Sequence, residues 1–157
     1  MASSMAMRWR LFRHSEGAEV ITITETVIDC AAVEAAVARP GAGAILTFSG
    51  ATRDNFGGRR VTGLSYEAYQ PMAIAVMTEI AEEAAAQWPG ARVAIVHRIG
   101  ALTIGEISVI ISVSTPHRAD CYAASRFAID ALKERVPIWK KEHYANGEGA
   151  WKENQPS

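Results

Sequence analysis

Cysteine is scarce in this chain. Of 157 residues only Cys30 and Cys121 carry thiols, and they lie far apart and form no CxxC. That excludes a disulfide scaffold. The two thiols read as buried structural residues of a protein kept in a reducing, cytoplasmic setting. Charge of one sign is also lacking: 16 basic against 17 acidic residues leave a formal net charge of -1. No global field points to nucleic acid, so any basic site must be local. No apolar run reaches the ~18 residues that would suggest a membrane span. No His/Cys cluster has metal-ligand spacing, nothing calls for a redox cofactor or nucleotide, and there are no internal repeats.

Hydrophobic residues are plentiful at 49%, enough for one domain's core, although alanine supplies much of that share. The opening "MASSMAMRWRLFRHSEGAE" has no acidic residue before Glu16 and carries Arg8, Arg10 and Arg13. It lacks the apolar region of a signal peptide, and its composition also suits a transit peptide. The simpler expectation is a flexible extension over residues 1–18, with residues 19–157 forming a single domain.

Alternation from Val20 predicts a strand in "EVITITETVI". A short helix follows in "DCAAVEAAVARPGAG", with Asp29 as N-cap and Pro40-Gly41 as its end. "AILTFSGATR" and "VTGLSYEAY" read as strands flanking the polar "RDNFGGRR", and are expected to form a hairpin or a wide loop over a site. "PMAIAVMTEIAEEAAAQWPG" predicts a helix opened by Pro71 and closed by Pro89-Gly90. "RVAIVHRIG" and "EISVIISVS" are strands joined by "ALTIG". A second long helix is expected from about Pro116 to Val136, capped by Ser114 or Thr115 and stopped by Pro137. The tail gives a short strand and a glycine turn. The pattern predicts an α+β domain with a mainly antiparallel sheet and two main helices.

Candidate chemistry gathers around the second helix. His117 and Arg118 fall in its first turn, where unpaired N–H groups and the helix dipole favour an anion such as phosphate. They read equally as a histidine packed near the cap and a solvated arginine, and the pattern leaves both open. Lys133 lies 15 residues beyond Arg118, roughly 22 Å along a straight helix. One small ligand cannot touch both, so if both act on one substrate a second copy must supply one of them. On helix physics alone Lys133 and Arg135 are cations favoured by the helix C-terminus. In "IWKKE" Lys140 and Lys141 alternate sides, so at most one enters a pocket shared with Lys133. A lysine that is partly desolvated among other cations has a lowered pKa and can serve as an acid-base group or nucleophile. Arg53, on a polar loop, is a weak anion contact by itself. His97 alternates with Val93, Ile95 and Ile99 and reads as a satisfied core histidine.

Taken together, "GAILTFSGATRDN", "LSYEAYQPMA", "VAIVHRIGALTIGE", "VSTPHRADCYAASRFAIDALKERVPIWKKE" and a late "GEGAW" resemble the MoaE family, the large catalytic subunits of molybdopterin synthase. The resemblance runs from about Glu19 to Trp151. It implies an α/β hammerhead-like fold and a homodimer carrying one small ubiquitin-like, MoaD-like subunit at each end. It further implies sulfur transfer from that partner's C-terminal Gly-Gly thiocarboxylate to cyclic pyranopterin monophosphate, forming the molybdopterin dithiolene. By position, Lys133 and Lys140 resemble the family's two pocket lysines, with Lys133 the main catalytic residue. Arg53 matches the loop arginine of that pocket, and His117 and Arg118 the phosphate-binding pair contributed across the dimer. Lys141 and Glu142 match flanking residues, while Phe48 and Met72 match pocket-lining positions. One departure is Ala51, where some relatives carry a lysine.

Two other classes fit parts of the pattern. A non-catalytic dimeric module would hold a phosphate ligand or a Gly-Gly tail without turnover. A Schiff-base enzyme would use Lys133 or Lys140.

Overall fold

The computed structural model describes residues 20–154, so the extension expected over residues 1–18 lies outside the described residues. The elements are β1 (Ile21–Thr24), α1 (Cys30–Val37), β2 (Ala44–Ala51), β3 (Asn55–Phe56), β4 (Arg59–Ala68), α2 (Gln70–Gln87), β5 (Arg92–Arg98), β6 (Gly100–Thr103), β7 (Ile107–Thr115), α3 (Arg118–Arg135), β8 (Ile138–Tyr144) and β9 (Trp151–Glu153). One sheet has the order β1-β5-β7-β2, with β1 parallel to β5 and the other pairs antiparallel. The other runs β3-β4-β8-β9, with β6 also paired to β4. The expected α+β class with a mainly antiparallel sheet is what forms.

Period-two alternation builds the core on both faces of the first sheet. Val93 and Ile95 of β5, with Val109, Ile111 and Val113 of β7, meet α2 and α3. Ala94, Val96 and Ile110 point the other way, onto Val33 and Val37 of α1. The helices present matching stripes: Ala73, Met77, Ile80, Ala81 and Ala84 on α2, and Cys121, Ala124, Ala128, Ala131 and Leu132 on α3. Alanine loses no rotamer freedom on burial, so these stripes order at little side-chain entropy cost. Arg135 fastens the end of α3 to α2 through two hydrogen bonds to Glu83, at 2.9 and 2.7 Å.

Several local expectations hold. Asp29 caps α1 by accepting from the Ala32 N–H at 3.1 Å. Pro71 lies in the first turn of α2, and α3 stops at Arg135, just before Pro137.

Others need correction. β2 and β4 form no hairpin with each other: β2 pairs with β7, and β4 with β6 and β8. Only β3 and the start of β4 make a tight hairpin, around Gly57-Gly58. "ALTIG" is not a bare connection, because β6 forms within it and crosses to the second sheet. Neither Ser114 nor Thr115 caps α3. The ladder of β7 continues through both, and their hydroxyls donate to the carbonyls of Val37 (2.6 Å) and His117 (2.7 Å). His117 is the N-cap, without a side-chain capping bond. Cys121 is buried as expected, whereas Cys30 is exposed at the first position of α1.

The "HRIG" and "GE" segments turn out to be scaffolding. Gly100 and Gly105 adopt φ of 89° and 85°, a left-handed conformation open mainly to glycine. Directly after Gly105, the Glu106 carboxylate accepts from the Thr103 hydroxyl, from the Thr103 N–H at 2.9 Å, and from Arg98. The Thr103 hydroxyl, then its N–H, then Arg98 hold that carboxyl down to about 2.

Candidate functional site

Lys133 sits in the last turn of α3, three residues before Val136 caps the helix. The chain turns at Pro137 and enters β8. That reversal, together with Glu153 and Asn154, surrounds a cavity of about 490 Å³ bordered by Lys133, Pro137, Ile138 and Trp139. The Lys133 Nζ donates to Asn154 Oδ1 at 2.8 Å. Burial first, and the positive charge of Lys140 second, bring its pKa down to about 8. The lysine is thus neither a fully solvated cation nor a closed ion pair. Near neutral pH it can hold a charge and also release a proton.

β8 delivers the remaining cations by alternation. Ile138, Lys140 and Glu142 share one face, and Trp139 and Lys141 take the other. Alternation puts Lys140 on the face of buried Ile138 and Glu142, and Lys141 on the opposite one. Lys140 does not border the Lys133 cavity but acts on Lys133 through its charge. Trp139 borders that cavity and is 37% exposed. Lys141 is half-buried rather than mostly solvated, because its stem lies against Gly149.

Lys140 stands directly across from Lys152 in the β8–β9 ladder. Like charges at such a pair repel. Two neighbours offset this. Glu142, almost fully buried, lies 3.5 Å from the Lys140 Nζ and 2.8 Å from the Lys152 Nζ. The Phe56 ring receives both ammonium groups on its π-system, with Nζ-to-centroid distances of 5.5 Å for Lys140 and 4.2 Å for Lys152. Burial pushes the Glu142 carboxyl up, but the hydrogen bond from Lys152 and the two lysine charges outweigh it, so it ends below the usual range.

The other expected residues lie elsewhere. His117 and Arg118 are exposed at the start of α3, at the far end of the helix from Lys133. Arg53 is exposed on the loop after β2, beside the Gly105–Glu106 turn to which Thr52 is hydrogen-bonded. Phe48 is exposed on β2 and Met72 on the first turn of α2, and neither borders the cavity. Within one chain Lys140 lies beside Lys133 and Glu142, whereas His117 and Arg118 stand at the opposite end of α3, and Arg53, Phe48 and Met72 do not border the cavity.

His97 is fully buried in the expected register. Its Nδ1 donates to the Arg98 carbonyl at 2.8 Å and its ring meets Tyr66 edge-on. It is only half satisfied, because Nε2 has no hydrogen-bond partner. Burial, offset in part by the Arg98 carbonyl and aided by the nearby Lys133 charge, takes its pKa down to about 4.

Sequence reading missed Phe56, Lys152 and Asn154. Lys152 had a usable signal, since alternation sets it opposite Trp151 and Glu153. Phe56 and Asn154 had none, because each reaches its partners only through long-range strand pairing. Among the described residues no His, Cys, Asp and Glu cluster could hold a metal ion.

A family model described as "MoaE protein" matches residues 23–135. The molybdopterin synthase catalytic subunit of Halalkalibacterium halodurans is 55% identical over 112 residues, covering 71% of this chain and 72% of that one. The crystal structure of molybdopterin synthase from Staphylococcus aureus superimposes with a TM-score of 0.78 at 38% identity, covering 87% of this chain and 98% of that chain. A chain from the complex of subunits 1 and 2 of the Helicobacter pylori molybdopterin-converting factor shares the fold, with a TM-score of 0.70 at 20% identity over 84% of this chain and 90% of that one. With the family model spanning most of the chain and a relative of more than half identity, the chain belongs to the MoaE family.

Proposed function

We propose that this MoaE-family chain is the catalytic subunit of a molybdopterin synthase, with Lys133 at the centre of its chemistry. The observation that carries the reading is the partly desolvated Lys133 at a cavity beside Lys140, its pKa brought down to about 8.

The substrates are cyclic pyranopterin monophosphate and a MoaD-like partner ending in a Gly-Gly thiocarboxylate. Both are anionic, so bringing them together in a partly dry site requires positive charge in place beforehand. Lys133 and Lys140 supply it where the partner's tail enters. The thiocarboxylate sulfur forms a bond to a carbon of the pterin side chain as a carbon–oxygen bond at that carbon breaks and the oxygen leaves, so carrier and pterin are joined as a thioester. Water then attacks the acyl carbon, releasing the carrier as a carboxylate and leaving the sulfur on the pterin as a thiolate, and a second thiocarboxylated carrier repeats the transfer. Lys133 stabilises the anionic intermediates and moves the proton, and Lys140 assists.

The phosphate binds at the first turn of α3 through His117 and Arg118 of a second copy. Support comes from the helix, since the 15 residues from Arg118 to Lys133 span roughly 22 Å and separate the pair from Lys133 of the same chain. Arg53 contributes to the pocket of Lys133 and Lys140 in the assembled dimer, with Lys141 and Glu142 flanking and Phe48 and Met72 lining it. The protein works in the cytoplasm, a reading supported by two unpaired thiols. Among the described residues no helix is long and apolar enough to cross a membrane.

The test is incubation with thiocarboxylated small subunit and cyclic pyranopterin monophosphate, followed by assay for molybdopterin. Lys133→Ala is expected to abolish product while fold and dimer persist. Wild-type turnover in that variant would remove Lys133 from the mechanism.

A further inference from the structure

Asn154 follows β9, and its backbone is already secured: its N–H donates to the Ile138 carbonyl at 3.0 Å, extending the β8–β9 ladder. The segment therefore docks without help from the side chain. Yet the carboxamide is buried, with the residue only 3% exposed, and it borders the Lys133 cavity. Burying an amide costs free energy unless its polar atoms are bonded. Here Oδ1 has one partner, the Lys133 Nζ at 2.8 Å, while Nδ2 has none. The carboxamide is thus oriented through its bond to Lys133.

We infer that Asn154 is a positioning residue for Lys133: its carboxamide oxygen holds the amine at the cavity without adding charge. The inference rests on the catalytic reading of Lys133 given above. A neutral acceptor has a particular advantage at this position. It fixes the direction of the Nζ whether the group is an ammonium or an amine, since both can donate. A carboxylate in the same place would also orient the Nζ, but its charge would favour the ammonium and work against proton release.

Other charged groups also stand around Lys133. From β5 the nearby His97 is neutral at pH 7, its pKa lying at about 4. From β8 Lys140 is a like charge that disfavours the ammonium. On α3 itself Arg135 is engaged by Glu83 and Glu79. Glu134 and Glu153 border the same cavity, and Glu134 is exposed to solvent.

The experiment follows the Lys133 titration directly, by NMR of the full chain carrying 13C at the lysine ε-carbon. The resonance is assigned by its loss in Lys133→Ala, and folding is checked by circular dichroism. Asn154→Asp is expected to raise the Lys133 pKa by about one to three units, the usual effect of an opposite charge within contact distance. Asn154→Leu, which keeps water out but offers no acceptor, is expected to lower it. In both variants the pH profile of molybdopterin formation should move with the titration, measured with thiocarboxylated small subunit and cyclic pyranopterin monophosphate. A Lys133 titration unchanged in both variants would overturn the inference. A titration that moves while the turnover profile stays fixed would overturn it differently: the contact would be real, and the catalytic reading of Lys133 would be the part that failed.

Discussion

The Nζ of Lys152 lies 2.8 Å from Oε2 of Glu142, a carboxylate whose side chain is only 3% exposed. This pair joins β9 to β8 and supplies a negative charge beneath two facing lysines. Removing one partner of such a pair leaves the other charge uncompensated, which costs far more than the pair contributes. Glu142→Gln should lower stability by about 2 kcal/mol in urea unfolding, after allowance for the solvent exposure of Lys152. Glu142→Leu combined with Lys152→Met should be less damaging than either change alone. A double variant as unstable as the sum of the singles would argue against the pairing.

Lys133 should weaken the fold it serves. Its pKa falls from the usual 10.5 to about 8, so the folded state disfavours the charged form. The penalty is fully present below about pH 8, and it is relieved as pH rises from 8 towards 10.5, where the unfolded chain also loses its proton. Lys133→Met should therefore raise stability at pH 7 by about 1–2 kcal/mol while eliminating molybdopterin formation. Calorimetry beside the product assay checks both halves.

His97 predicts acid sensitivity of a definite range. Its folded pKa of about 4 lies below the 6.5 of the unfolded imidazole. Above pH 6.5 both states are neutral and the group has no effect. Between 6.5 and 4 only the unfolded chain takes up the proton, so stability declines as pH drops, and below 4 the loss levels off. The loss attributable to His97 should total about 3 kcal/mol. It is read as the difference between wild type and His97→Gln across that range.

The composite-site proposal has its own check. Lys133→Ala and Arg118→Ala should each be inactive alone. Unfolded together in equal amounts and refolded, they should regain about a quarter of wild-type activity, because half the dimers are mixed and each mixed dimer holds one intact site. No recovery would mean that both residues must come from the same chain.

Much of this was legible from local pattern. α2, α3, β5 and β7 announce themselves by periodicity and by proline or glycine at their ends. That Lys140 and Lys141 take opposite faces of β8 follows from alternation. What was not legible depends on partners distant in sequence. Nothing within "AILTFSGATR" says that it pairs with β7 rather than with "VTGLSYEAY", and "ALTIG" is too short for its strand character to show. Ser114 looked like a cap because its hydroxyl is of the right kind, but the β7 ladder had already claimed its backbone. Asn154 meets Lys133 only because β9 adds to the edge of β8.

The Arg98–Glu106 clamp has an evolutionary consequence. It shapes the turns around β6 and stands apart from the lysine cavity. The residues that make the family recognisable and those that would make it reactive can therefore diverge independently. A homologue that kept the clamp but replaced Lys133 would still fold and still be recognised by motif, as a pseudoenzyme able to dock a carrier without using its sulfur. Surveys of such chains should sort them by the lysines at the helix–strand reversal, not by the glycine-bearing signature upstream.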